Sequence, residues 1–383
     1  MRRWLLLPAL LIAPLLAAAP VEAEGPALTI EVVRSGLTIP WDLAFLPDGS
    51  MLYTERTAKR LTLRRANGTE QVVLNSPAGM WAAGETGLMS VELAADFSTT
   101  RDFFTCHGYQ AGSTQDVRVV RWHLNPEMTA ATIKRTLVSG LPSTSGRHGG
   151  CALVKGIRNN LFIGTGDAAT GTVPQARTSG GGKVLRVDAT TGLGISTNPY
   201  ASSSILMKRR LYTYGHRNVQ GLARRSNGTI WSVEHGSYRD DEVNQLTFGG
   251  NYGWNPVRRT SSDPAYNEGA NSPMTDYQIP GAQVAARWRS GDPTVATSGA
   301  TFLDSPRWGP WQGALAVAAL KDASLRIMRF AADGTLQSTE LPPELRSSQY
   351  GRLRAAVLGP DGALFLTTSN GSNDQILRVT PAG

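Results

Sequence analysis

Leu46-Pro47-Asp48-Gly49-Ser50-Met51-Leu52-Tyr53-Thr54-Glu55 sets an Asp-Gly pair directly before a run of apolar and strand-favouring residues. Such a pair accepts the positive φ that a tight hairpin demands, so the stretch predicts a turn feeding a strand. The theme returns in Ile157-Arg158-Asn159-Asn160-Leu161-Phe162-Ile163, in Ser226-Asn227-Gly228-Thr229-Ile230-Trp231-Ser232-Val233, and in Gly359-Pro360-Asp361-Gly362-Ala363-Leu364-Phe365-Leu366. A second set of turns, Ala66-Asn67-Gly68-Thr69 and Ala332-Asp333-Gly334-Thr335, follows the strand-like runs 60–63 and 325–328 and predicts outer hairpins of the same units. No extended stretch carries apolar residues at helical spacing between caps.

Repeated short strands fit a sandwich, a barrel or a propeller, and a chain of 383 residues with 41 glycines and 22 prolines favours the propeller. Units fall at 37–75, 86–141, 148–200, 216–257, 298–341 and 350–380. The expected fold is therefore all-β, a six-bladed β-propeller. The strand 27–33 is left over, and pairing it into the last blade closes the ring and shelters an open edge.

Met1-Arg2-Arg3, the apolar run from Trp4 to Ala19 and the small residues around Val21-Glu22-Ala23 read as a secretory signal peptide over 1–23. Residues 24–383 are then expected as one propeller domain, secreted or periplasmic. No later run approaches the roughly 20 apolar residues of a membrane span. Export permits a disulfide between Cys106 and Cys151, or two buried thiols that never meet; spacing leaves both open. The formal charge of +8 favours an anionic ligand, while scattered basic residues without a recognition motif speak against nucleic acid.

In a propeller, loops entering the innermost strands gather around the central channel. Polar residues there are Gly84-Glu85-Thr86, Ser145-Gly146-Arg147-His148-Gly149-Gly150, Gly215-His216-Arg217-Asn218-Val219-Gln220-Gly221-Leu222, Pro293-Thr294-Val295 and Gly351-Arg352-Leu353-Arg354. Between the third and fourth groups lie Glu234-His235-Gly236-Ser237, Asp240-Asp241-Glu242 and Gly249-Gly250-Asn251-Tyr252-Gly253-Trp254. Imidazole, guanidinium, amides and carboxylates among glycines suit a site that holds an anion and a cation.

Laid out blade by blade, these residues resemble the soluble quinoprotein sugar dehydrogenases of the glucose/sorbosone dehydrogenase family, over nearly the whole chain. The most specific parts are the octapeptide 215–222, Asp241-Glu242-Val243-Asn244, Gly250 to Trp254, and Gly351 to Arg354. The resemblance implies the cofactors PQQ and calcium, an aldose substrate oxidised at C1 to a lactone, and an electron acceptor such as a cytochrome, a quinone or a dye. It casts His148 as the base, Asp167 as the carboxylate that orients it, and Arg217 and Asn218 as contacts to the quinone and reacting centre. Gln220 braces their loop. Lys321, Arg352 and Arg354 match positions that bind the PQQ carboxylates, Thr294 serves as a neutral donor, and Glu85 stands where a Gln often meets the cofactor. Calcium falls to the backbone carbonyls of Gly236 and Ser237. Glu242 and the Tyr252 backbone would hold a second, structural calcium, unless Asp240-Asp241-Glu242 is a solvated acidic turn.

Four departures from the family pattern accompany it. Glu85 brings a negative charge that calcium or Arg147 must offset, Cys151-Ala152 follows the glycines after His148 where an Arg is usual, and Ala355 replaces an Asp. Ser237 stands where a Pro is usual. Competing readings are a non-catalytic extracellular propeller of the same descent and a calcium-dependent lactonase.

Overall fold

The computed structural model describes residues 25–257, 265–269, 272–346 and 349–382. The signal segment and its cleavage point lie outside them. Six antiparallel sheets account for the chain. Blade 1 comprises Pro40–Phe45, Met51–Glu55, Arg60–Arg64 and Glu70–Asn75. Blade 2 comprises Leu88–Leu93, Asp102–Ala111, Thr114–Leu124 and Ala131–Leu141, with Met80–Trp81 also paired to its second strand. Blade 3 is Gly150–Lys155, Asn160–Thr165, Lys183–Asp188 and Leu211–Tyr214; blade 4 is Val219–Arg224, Ile230–Glu234, Glu242–Gln245 and Trp288–Arg289. Blade 5 runs Thr297–Phe302, Leu315–Ala319, Ser324–Phe330 and Leu336–Glu340. Leu353–Leu358, Leu364–Thr368 and Asp374–Pro381 build blade 6, and the N-terminal strand Leu28–Leu37 pairs antiparallel with the last of these. The ring closes as expected, and helix is confined to short pieces such as Phe97–Thr100 and Leu206–Arg210.

Two unit boundaries are corrected. The third unit does not end at 200, because its outer strand is Leu211–Tyr214, and the fourth continues past 257 to Trp288–Arg289. Both strands are short and follow long excursions, so no turn-plus-strand pattern marks them. From the second excursion, between Gln245 and Trp288, Tyr266 reaches His148 and Glu268 reaches Arg217.

The core lies between blades. Phe104, Val119 and Leu137 of blade 2 pack against Ile163 and Leu185 of blade 3, and Trp231 and Val243 of blade 4 against Phe302, Val317 and Phe330 of blade 5. Corresponding clusters fill the other interfaces. Each buried face thus needs its neighbour, which is what makes the ring one cooperative unit.

Cys106 and Cys151 form a disulfide with Cα atoms 5.6 Å apart, inside the cluster joining blades 2 and 3. It closes a 45-residue loop. Replacing both cysteines by Ala is expected to cost about 2–4 kcal/mol of unfolding free energy. An unchanged denaturant midpoint would contradict that value.

A further regularity positions the site. Every innermost strand has a register shift close to its start, between Pro40 and Leu43, Leu88 and Val91, Gly150 and Ala152, Val219 and Gly221, Thr297 and Ala300, and Leu353 and Ala356. Bulges of this kind re-aim side chains. Here they turn the ends of the inner strands toward a common point at one mouth of the channel.

Candidate active site

The blade 3 bulge presents His148, whose backbone sits in the left-handed region at φ +50°. Ala168 and Ala169, at φ +52°, flank the facing carboxylate. Three non-glycine residues held in that region mark a place where surrounding contacts override local preference. Gly166 is required here, since a Cβ on it would fall 1.8 Å from the His148 carbonyl oxygen.

His148 is 3% exposed, and its Nδ1 lies 2.8 Å from Asp167 Oδ1. The Ala169 N–H donates to the same oxygen at 2.8 Å, and the Trp254 indole N–H donates to Asp167 Oδ2 at 2.8 Å. The carboxylate is therefore fully occupied and fixes Nδ1 as the protonated nitrogen. Nε2 remains as the acceptor. Burial lowers the His148 pKa from its ordinary 6.5, the Asp167 hydrogen bond opposes that shift, and Arg217 reinforces it. A neutral ring at neutral pH follows.

A buried polar network begins two residues beyond the base, at the Gly150 N–H. Asn218 Oδ1 accepts from the Gly150 N–H at 3.1 Å and from Gln220 Nε2 at 3.0 Å, while Asn218 Nδ2 donates to Glu85 at 2.9 Å. Gln220 Oε1 accepts from Arg354 at 3.2 Å, so Gln220 does brace the Asn218 loop and ties it to blade 6. Arg354 is buried, lies 3.6 Å from the centre of the Trp41 ring and donates to Ser298. Burial first, then Arg56 and Arg352, bring its pKa down to about 9. Arg352 and Arg354 both reach Ser369, on its carbonyl and hydroxyl oxygens, with Arg352 at the exposed rim. Lys321 donates to the Thr294 hydroxyl at 3.3 Å. Arg56 and Arg352 lie close enough to lower the Arg354 pKa, with Glu85 and Asp374 opposing them, and such a group of cations can serve as donors to an anion with several carboxylates.

Arg147 is not the group that offsets Glu85. Arg147 pairs with Glu268 instead. Burial alone would raise the Glu85 pKa, but the His148 and His235 imidazoles, the Asn218 amide and Arg217 hold it below its ordinary value.

The loop after blade 4's second strand passes the same point. Arg217 donates to the His235 carbonyl at 3.3 Å. His235 Nε2 and Ser237 Oγ are shielded from solvent yet have no hydrogen-bond partner. Unpaired polar atoms beside the Gly236-Ser237 backbone fit a cation or its bound water, because leaving them empty-handed costs free energy. Gly236 is needed for this close approach: a Cβ would meet the Arg239 carbonyl at 2.0 Å.

Asp240-Asp241-Glu242 is not a solvated turn, because Asp241 and Glu242 are buried. Asp241 accepts from the backbone N–H groups of Gly236 and Val295, at 2.8 and 2.7 Å, and from Ala296, pinning the Gly236 loop to the Thr294 loop. Burial and the neighbouring Glu234 raise the Glu242 pKa to about 8, and Asn244 Oδ1 beside it is buried without a partner. A cation there would relieve both. His216, by contrast, is structural: it bonds Glu234 and Thr213 and stacks on Tyr252 at 4.6 Å.

Two residues at the site carry no motif. Tyr266 stands over His148, ring centres 6.0 Å apart, with its hydroxyl 3.3 Å from Nδ1. Glu268 receives Arg217 Nε at 3.2 Å. Both come from the excursion within blade 4, where sequence offered no repeat to read. The indole of Trp254, quoted in a motif without a role, is likewise an essential support of Asp167.

Comparison with known proteins agrees with this geometry. Residues 37–378 match the family described as glucose / sorbosone dehydrogenase. The chain is 28% identical to the aldose sugar dehydrogenase of Escherichia coli, over 96% of this chain and 97% of that one. It is 26% identical to the quinoprotein glucose dehydrogenase B of Acinetobacter calcoaceticus, over 92% and 88%. The apo crystal structure of the soluble E. coli aldose sugar dehydrogenase superposes with a TM-score of 0.80 at 27% identity, covering 93% of this chain and all of that one (100%). The PQQ-bound aldose sugar dehydrogenase of Streptomyces coelicolor gives 0.73 at 25% identity, covering 93% and 99%. Among the described residues, no helix is long and apolar enough to cross a membrane.

Proposed function

Because the chain belongs to the glucose/sorbosone dehydrogenase family, we propose that it is an exported PQQ- and calcium-dependent dehydrogenase that oxidises aldoses at C1 to lactones. Residues 1–23 serve as its export signal and 24–383 as its single domain. The observation that carries the reading is a buried imidazole oriented by a hydrogen-bonded carboxylate, beside a buried polar network in which Asn218 and Gln220 lead to Arg354. A binding module has no use for both together.

His148 Nε2 takes the proton of the C1 hydroxyl, and Asp167 stabilises the imidazolium that forms. PQQ, when bound, supplies the two-electron acceptor for the C1 hydride. Lys321, Arg352, Arg354 and the Thr294 hydroxyl would hold its carboxylates, and Arg217, Asn218 and Glu85 would meet its other edge. Arg217 is placed to stabilise negative charge that develops beside it. The carbonyls of Gly236 and Ser237 would hold one calcium. Glu242, with the Tyr252 backbone, would hold another. Electrons leave to a cytochrome, a quinone or a dye.

The test is a titration of the unloaded protein with PQQ, with and without calcium, followed by absorbance. Calcium-dependent saturation supports the reading, and no binding sinks it. Arg352→Ala removes a charge-assisted contact worth about 1.5–3 kcal/mol. It is expected to weaken PQQ affinity by roughly tenfold to a hundredfold while leaving turnover at saturating PQQ close to normal.

A further inference from the structure

Glu268 lies across the mouth of the site in an unusual position. Its carboxylate receives Arg217 Nε at 3.2 Å and the Tyr266 hydroxyl at 3.3 Å, and it pairs with Arg147 on its other oxygen. Arg147 precedes the base in sequence. One carboxylate thus ties the blade 2–3 loop to the blade 3–4 loop above His148. The two guanidiniums differ in surroundings: the Arg217 side chain is 6% exposed and the Arg147 side chain 47% exposed. Arg217 keeps further partners in the His235 carbonyl and the Trp254 ring. The only acid that an ion pair gives to Arg147 among the described residues is Glu268.

Resting on the reading above, the cofactor carboxylates claim Lys321, Arg352 and Arg354, which leaves Arg147 as the cation on the substrate side. We propose that Glu268 sets the charge class of the substrate: by neutralising Arg147 it admits neutral aldoses and turns away aldoses that carry a carboxylate, such as uronic acids. An acidic sugar brought to His148 would meet Glu268 as a like charge in a water-poor pocket, with no free guanidinium to compensate. Without Glu268, the half-exposed Arg147 guanidinium is free to pair with a substrate carboxylate.

The experiment compares wild type, Glu268→Gln and the double variant Arg147→Gln/Glu268→Gln with glucose and glucuronate. Binding to the unloaded protein is followed by tryptophan fluorescence, with Trp254 beside Arg217 as reporter, and kcat/KM is measured on protein loaded with PQQ and calcium. Glu268→Gln is expected to move the glucuronate-to-glucose ratio roughly tenfold to a hundredfold toward glucuronate in both readouts. The double variant should lose most of that gain, and added salt should erode it. An unchanged ratio in Glu268→Gln, an equal gain in the double variant, or a wild type that already prefers glucuronate would each overturn the proposal. Absence of turnover with every aldose would instead count against the enzyme reading, and the binding arm would still decide the role of Glu268.

Discussion

His148→Ala is expected to lose about 10²–10⁴-fold in turnover while binding PQQ within a few-fold of wild type. The imidazole is the buried proton acceptor at the point where the inner strands converge, and its Nδ1 is already committed to Asp167. Nothing else within the network offers an acceptor in the same state. Glu85, the nearest alternative, has its pKa held below the ordinary value by the groups around it, which makes it the weaker base, and it is engaged by Asn218. The cations assigned to the cofactor carboxylates, Lys321, Arg352 and Arg354, come from blades 5 and 6 and make no hydrogen bond to the imidazole, so removing the ring leaves them in place. Stopped-flow reduction of the loaded variant, beside a PQQ titration of the unloaded one, separates the two effects. Equal loss of both would contradict the division of labour.

Asp167→Asn is expected to be nearly as damaging, by roughly 10²–10⁴-fold in kcat, because an amide can present its N–H to Nδ1 and favour the wrong tautomer. It carries a second signature. The base works only when unprotonated, so activity falls as pH drops through the His148 pKa. Burial already sets that pKa below 6.5, and Asp167 partly restores it. Removing the carboxylate's charge therefore moves the acid limb of the pH profile to still lower pH. A merely structural defect would lower the plateau and leave the limb where it was, and a shift toward higher pH would contradict the assigned role.

Much of this was readable before any coordinates. Asp48-Gly49, Asn227-Gly228 and Asp361-Gly362 each need a tight turn wherever they fall, so the ring of blades follows from local chemistry repeated along the chain. The convergence of His148, Arg217 and Arg354 follows from the same count, since each precedes or opens an innermost strand. Residues whose role depends on a distant partner were harder to read. Asp241 reads in sequence as part of a solvated acidic turn, but it is the buried acceptor for backbone donors from two loops. Glu268 had no signal at all, because its partners come from two other loops and its own segment has no periodicity. Arg147 stands in the sequence reading as one of two groups, with calcium, that could offset Glu85, and the structure pairs it with Glu268. The disulfide was open for the same reason: only the fold brings strands of blades 2 and 3 to within reach.

The central claim is that the ring assembles a proton acceptor and an anion clamp for one reaction at C1 of a sugar. Its most direct measurement is reduction of an artificial dye by purified protein reconstituted with PQQ and calcium, with a panel of aldoses as donors and the sugar product identified. The account predicts turnover that needs both PQQ and calcium and yields the lactone. No turnover with any sugar, in protein shown to have bound PQQ, would contradict it.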